Sequence, residues 1–109
     1  MADDVTMREA PEAERYEILV GGELAGFAEY RGRAAVRAFT HTQIEEGHEG
    51  QGLASRLIAF ALGDARERGL QVVPVCPFVA DYLTRHREEL TLVAPELRRA
   101  FNLPEPPAA

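Results

Sequence analysis

The stretch LASRLIAFALGDARERGLQVVPV, residues 53–75, changes period part-way along, and that change sets the fold. Leu53, Leu57, Ala61 and Ala65 recur at helical spacing, flanked by Ile58 and Leu62, and make one apolar helix face. Asp64, Arg66, Glu67 and Arg68 fall on its exposed side, and Gly69 is placed to stop it. Leu70–Val75 then runs apolar without a helical period and reads as a buried strand.

Upstream, three segments read as strands. Tyr16–Val20 ends at Gly21-Gly22, a hairpin signal; Leu24–Tyr30 follows; after a turn at Arg31-Gly32-Arg33 comes Ala34–Thr42, with Val36 and Phe39 as its larger apolar residues. A strand, a helix and a second strand in this order predict a right-handed parallel crossover. Downstream, Pro77 and Phe78 open a second helix reaching about His86, and Pro95–Phe101 reads as a third, short one. The predicted class is α/β, an α+β mixed sheet: a three-strand antiparallel meander, a βαβ crossover and a C-terminal helix. Residues 1–14 read as a flexible N-terminus, 15–103 as the domain, and 104–109 as a proline-rich disordered tail.

Composition narrows the function classes. A net charge of −6 opposes general nucleic-acid binding, which needs basic patches, and favours a cationic substrate such as an amine. No apolar run is long enough to span a bilayer, and the polar start lacks a signal core. The lone Cys76 fits a reducing compartment, so a cytoplasmic location is expected, with no membrane partner. His41, His48, His86 and Cys76 have no zinc spacing.

Between the third strand and the first helix lies Glu45-Glu46-Gly47-His48-Glu49-Gly50-Gln51-Gly52-Leu53-Ala54. Its glycines let backbone approach a ligand, and the helix start offers unpaired N–H groups, an arrangement suited to a diphosphate. The same loop also reads as a plain flexible connection, and its glutamates have the wrong sign for an anion. A P-loop would need Lys-Ser/Thr after Gly52, where Leu53-Ala54 stands; a dinucleotide fingerprint would need glycine at Ser55.

Glu49-Gly50-Gln51-Gly52-Leu53-Ala54 resembles the Arg/Gln-x-x-Gly-x-Gly/Ala motif of the GNAT acetyltransferases. Together with His41-Thr42-Gln43-Ile44 and Val72-Val73-Pro74-Val75-Cys76-Pro77-Phe78-Val79, it is similar to a subgroup of very short GNAT-like proteins, over roughly Tyr16 to Leu92. The chain departs from that pattern at Glu49, at Gln43 (a Glu in the subgroup) and at His86-Arg87-Glu88-Glu89. The resemblance implies an acetyl-coenzyme A-dependent N-acetyltransferase acting on an amine of a small molecule or protein, as monomer or homodimer. A non-catalytic coenzyme A-binding module and a small interaction domain are the alternatives.

The resemblance also implies site residues. Thr42, Gln43, Ile44, Glu49, Gly50, Gln51, Gly52, Leu53 and Ala54 would hold the cofactor, with Arg56 and Phe78 beside it and Arg85 and His86 as weaker candidates for its adenosine phosphate. His41 would line the active site as a base, imidazole being suited to proton transfer near neutral pH; it also reads as an ordinary strand histidine. Cys76, an N-cap before Pro77 where a helix favours anionic groups, is a candidate nucleophile or pocket wall, or a small buried residue. Tyr82 is a candidate acid for the leaving thiolate, or a packing residue. Pro74 cannot donate to a strand ladder, and so either helps two strands part and admit the pantetheine arm or marks an edge strand.

Overall fold

A computed structural model describes residues 4–32 and 34–108. Four antiparallel strands lead: β1 (Val5–Ala10), β2 (Arg15–Val20), β3 (Glu23–Arg31) and β4 (Val36–Ile44). Helix α1 (Leu53–Glu67) crosses over to β5 (Gln71–Pro74), which pairs parallel to β4. Helices α2 (Pro77–Arg85) and α3 (Pro95–Ala100) follow, with a 3-10 segment at Arg87–Leu92 between them. The sheet order is β1-β2-β3-β4-β5, the mixed sheet expected from the period change.

The meander has one strand more than the sequence indicates. Residues 1–14 read as flexible, yet Val5–Ala10 pairs with β2 from Val5↔Val20 to Ala10↔Arg15. Val5 and Met7 pack against the core, while Thr6 and Arg8 face out. This is strand alternation carried by too few large apolar residues to be legible. Met1–Asp3, Arg33 and Ala109 lie outside the described residues. At the other end, residues 104–108 form no helix or strand but are tied down. Arg87 Nη2 donates to the Glu105 carbonyl at 2.9 Å, and Arg98 lies 3.4 Å from the Glu105 carboxylate.

The apolar face of α1 buries Leu53, Leu57, Ile58, Ala61, Leu62 and Ala65 against Tyr16, Ile18, Ala28, Phe39 and Val72; Val79 and Leu83 of α2 join the same core. Leu57, Ile58 and Leu62 are fully buried, a state worth about 1.5–3 kcal/mol for each such side chain. A polar network ties the C-terminal half of α1 to the meander. Tyr16 donates to Asp64 at 2.6 Å, Arg37 donates to Tyr16 at 2.6 Å, and Arg68 donates to Glu9 at 2.6 Å. The Tyr30 hydroxyl also donates to Glu9, so this β1 carboxylate joins strand and helix.

Two irregularities of β4 shape the end of the sheet near the glycine loop. Pairing of β4 with β5 ends at Phe39↔Pro74, and β4 runs on to Ile44 without a partner on that side among the described residues. The contact is continued by Cys76 N, which donates to Phe39 O at 2.8 Å. The second irregularity is a bulge. Glu29 pairs with His41 but Tyr30 pairs with Phe39, which leaves Thr40 as the extra residue.

Candidate active site

The bulge decides which side chains meet. In an unbroken strand Phe39 and His41 would share a face, since side chains alternate. With Thr40 inserted, Thr42 and Ile44 take the Phe39 side, over the core. Thr42 Oγ1 lies 3.5 Å from Cys76 Sγ. His41 is turned to the opposite face, where it is exposed, with its ring 6.1 Å from Phe27 and Nε2 3.3 Å from Gln43 Oε1. The side chains of His41 and Cys76, both site candidates, are therefore turned to opposite faces of the sheet.

Where β4 ends, a cleft of about 230 Å3 opens, lined by Ile44, His48, Glu49, Gly50, Gly52, Leu53, Ala54, Ser55 and Phe78. Its floor is the start of α1. Gly52 is the N-cap with φ 72°, a left-handed conformation that costs glycine nothing and other residues strain. No side chain caps this end, and the earliest amide of the first turn bonded back to the chain among the described residues is Arg56 N, to Gly52 O at 3.3 Å. The amides of Leu53, Ala54 and Ser55 are thus free for an anion. The Glu49 carboxylate is turned onto its own loop, accepting from Gly47 N at 2.9 Å.

The remaining candidates divide. Ile44, Leu53, Ala54 and Phe78 line the cleft; half-buried Thr42 does not, and meets Cys76 instead. Gln43, Gln51 and Arg56 are exposed and line no part of it; Gln43 Nε2 donates instead to Glu45 at 3.4 Å. Cys76 caps α2 and is 4% exposed. Tyr82 is buried, stacked on His86 at 3.9 Å, and its hydroxyl is pushed above its ordinary range by burial and then by the carboxylates of Glu89 and Glu88. Those neighbours belong to the 3-10 segment after α2, so Tyr82 is not brought to the cleft. Arg85 pairs with Asp81 at 3.0 Å, and neither it nor His86 lines the cleft.

The model of the GCN5-related N-acetyl-transferase family matches residues 15–93. The chain belongs to this family. Its fold also matches that of a GCN5-like protein from Staphylococcus aureus, solved by NMR, with a TM-score of 0.61 at 18% identity over 84% of this chain and 87% of that one. Ard1 from Thermoplasma volcanium is similar over 60% of this chain and 45% of its own, at 24% identity and a TM-score of 0.49. No curated protein matches.

Two cleft residues of this GCN5-related acetyltransferase chain, His48 and Ser55, were not legible as site residues. His48 sits inside the glycine loop, and an imidazole there was the available signal. Its side chain is 17% exposed, and Nε2 lies 3.3 Å from Glu23 Oε1. His48 also borders a second cavity of about 310 Å3, lined with Glu23, Leu24, Glu45 and Glu46. Among the described residues no group of His, Cys, Asp and Glu forms a metal site, and no helix is long and apolar enough to cross a membrane.

Proposed function

We propose that the chain is an acetyl-coenzyme A-dependent N-acetyltransferase for an amine of a small molecule or protein. One observation carries the reading: an uncapped helix start behind two glycines opens onto a cleft that is continuous with the unpaired end of β4. The amides of residues 50–55 would hold the diphosphate, and Ile44, Leu53 and Phe78 would pack on the pantetheine arm. The free edge of β4 beyond Phe39 offers backbone groups to that arm's amides, as an added strand would use them. Bound acetyl-coenzyme A would supply the thioester, whose acetyl group passes to the amine.

The chain's own groups have defined tasks in this reading. Cys76 and Thr42 mark the closed end of the gap between β4 and α2, where a small acyl group would be walled from water. The N-terminus of α2 directs the amide of Phe78 and its neighbours toward that end, a polarity that favours a developing oxyanion. The net charge of −6 favours approach of a protonated amine, which must lose a proton before attack.

Glu49, standing where the family motif has Arg or Gln, favours a second reading, a coenzyme A-binding module without turnover. Titration calorimetry with coenzyme A, followed by thiol release from acetyl-coenzyme A with a panel of amines, separates the two. Binding with amine-dependent release supports the enzyme; binding without release supports the module. No binding at millimolar cofactor, where a bound ligand should also raise the melting temperature, removes both.

A further inference from the structure

Among the described residues, His48 is the only side chain lining the cleft that can carry positive charge. The usual cation or amide of the motif is replaced by Glu49, and Arg56 is exposed outside the cleft. A helix start supplies only about half a positive charge, against a diphosphate bearing about two negative ones. Among the described residues, the charged side chains that line the two cavities with His48 are all acidic: Glu23 from β3, and Glu45, Glu46 and Glu49 from its own loop. From α1 and α2 the cleft receives Leu53, Ala54, Ser55 and Phe78, none of them charged.

The imidazole occupies the wall between the two cavities. Its Nε2 is engaged by the Glu23 carboxylate at 3.3 Å, and among the described residues its Nδ1 has no hydrogen-bond partner. A neutral imidazole has one N–H to give; an imidazolium has two. Only the charged form can serve Glu23 on one side and an anion in the cleft on the other.

Resting on the coenzyme A reading of the cleft, we propose that His48 is a phosphate ligand of this chain that acts as imidazolium, so that cofactor binding takes up a proton and tightens as the pH falls. The bond formed is a charge-assisted N–H···O contact to the diphosphate, and the proton comes from solvent. Linkage fixes the sign: if the complex holds more protons than the free protein, affinity falls as pH rises through the range where imidazole titrates.

The test is titration calorimetry of coenzyme A near neutral pH in two buffers of different ionisation enthalpy, which counts protons. Wild type should take up a fraction of a proton and bind several-fold tighter at pH 6 than at pH 8.5. Dephospho-coenzyme A, which keeps the diphosphate, should give the same uptake. His48→Gln should bind more weakly at pH 6 with no uptake, and His48→Lys, a permanent cation, should keep the affinity and lose the pH dependence. Binding by wild type without uptake, uptake that survives in His48→Gln, or uptake lost with dephospho-coenzyme A each overturns the proposal while leaving the cofactor reading intact. No binding at any pH overturns the cofactor reading, and the proposal with it.

Discussion

Thr42 Oγ1 and Cys76 Sγ meet at 3.5 Å across the point where β4 and β5 part company, joining the strand that leads into the glycine loop to the cap of α2. Either atom can donate to the other, and in the proposed function the pair would wall off the acyl end of the bound thioester.

A role for this pair in acetyl transfer predicts coupled losses. Cys76→Ala should lower kcat/KM for an amine by about 10²-fold or more, the lower end of what loss of a positioned proton donor or acceptor costs. Thr42→Val should cost less, and the double variant should be no worse than Cys76→Ala alone, because groups that act as a unit are not additive. Removing one sulfur from a small buried site leaves the fold in place, which circular dichroism checks. Ordinary turnover by Cys76→Ala would take the thiol out of the mechanism.

His41 should matter far less. Its imidazole lies on the sheet face away from the cleft and bonds to Gln43 on the same strand. His41→Ala should change kcat/KM by well under the ~10²-fold that loss of a general base costs. Stability should shift within about 0.5 kcal/mol, as for an exposed residue without a special contact. A loss of two orders of magnitude, with the pH profile altered, would show that the acceptor reaches the thioester from the bare face of the sheet.

This contrast shows what the sequence could and could not carry. The helix face from Leu53 to Ala65, the stop at Gly69, the Gly21-Gly22 hairpin and Pro77 at the start of α2 are local signals, and each lies where the pattern puts it. The glycine loop announced the cleft for the same reason. The bulge at Thr40 has no local signature: Thr40-His41-Thr42 reads as plain alternation, and one extra residue exchanges which of His41 and Thr42 takes the core side of the sheet. Strand β1 was hidden similarly, since Glu9 is held through Tyr30 and Arg68, residues distant in the chain.

The tyrosine–carboxylate network should make the protein sensitive to alkali. Burial, then the hydrogen bond to Glu9, pushes the Tyr30 hydroxyl up to about 12, and burial and Asp64 push Tyr16 higher still. A raised value in the folded state means that stability is complete below the ordinary tyrosine value near 10. Above it the unfolded chain releases protons that the folded chain keeps, so stability declines until the folded groups titrate. Each such proton contributes about 1.4 kcal/mol per pH unit. Denaturant melts from pH 9 to 11.5 should show this decline, and Tyr30→Phe should be less stable at pH 8 but lose stability more gently with alkali. An unchanged slope in Tyr30→Phe would exclude Tyr30 as its source.

Gly26 links sheet packing to the cleft. It pairs with Ile44 across β3 and β4, and a Cβ there would stand 2.6 Å from Ile44 Cδ1 and 2.8 Å from the Gln43 carbonyl oxygen. The Ile44 tip can swing away, but the carbonyl belongs to the backbone of β4 and moves only with the strand. Gly26→Ala should therefore destabilise the fold by about 1–3 kcal/mol, the usual range for overpacking, and displace Ile44 in the cleft wall. Cofactor affinity should fall in the same variant, whereas Gly63→Ala, on α1 with open space at its Cβ, should leave affinity unchanged. Melting curves paired with coenzyme A titrations check both halves: a Gly26→Ala protein as stable and as tight-binding as wild type would mean that β4 yields at this point and does not hold Ile44 rigidly in the cleft.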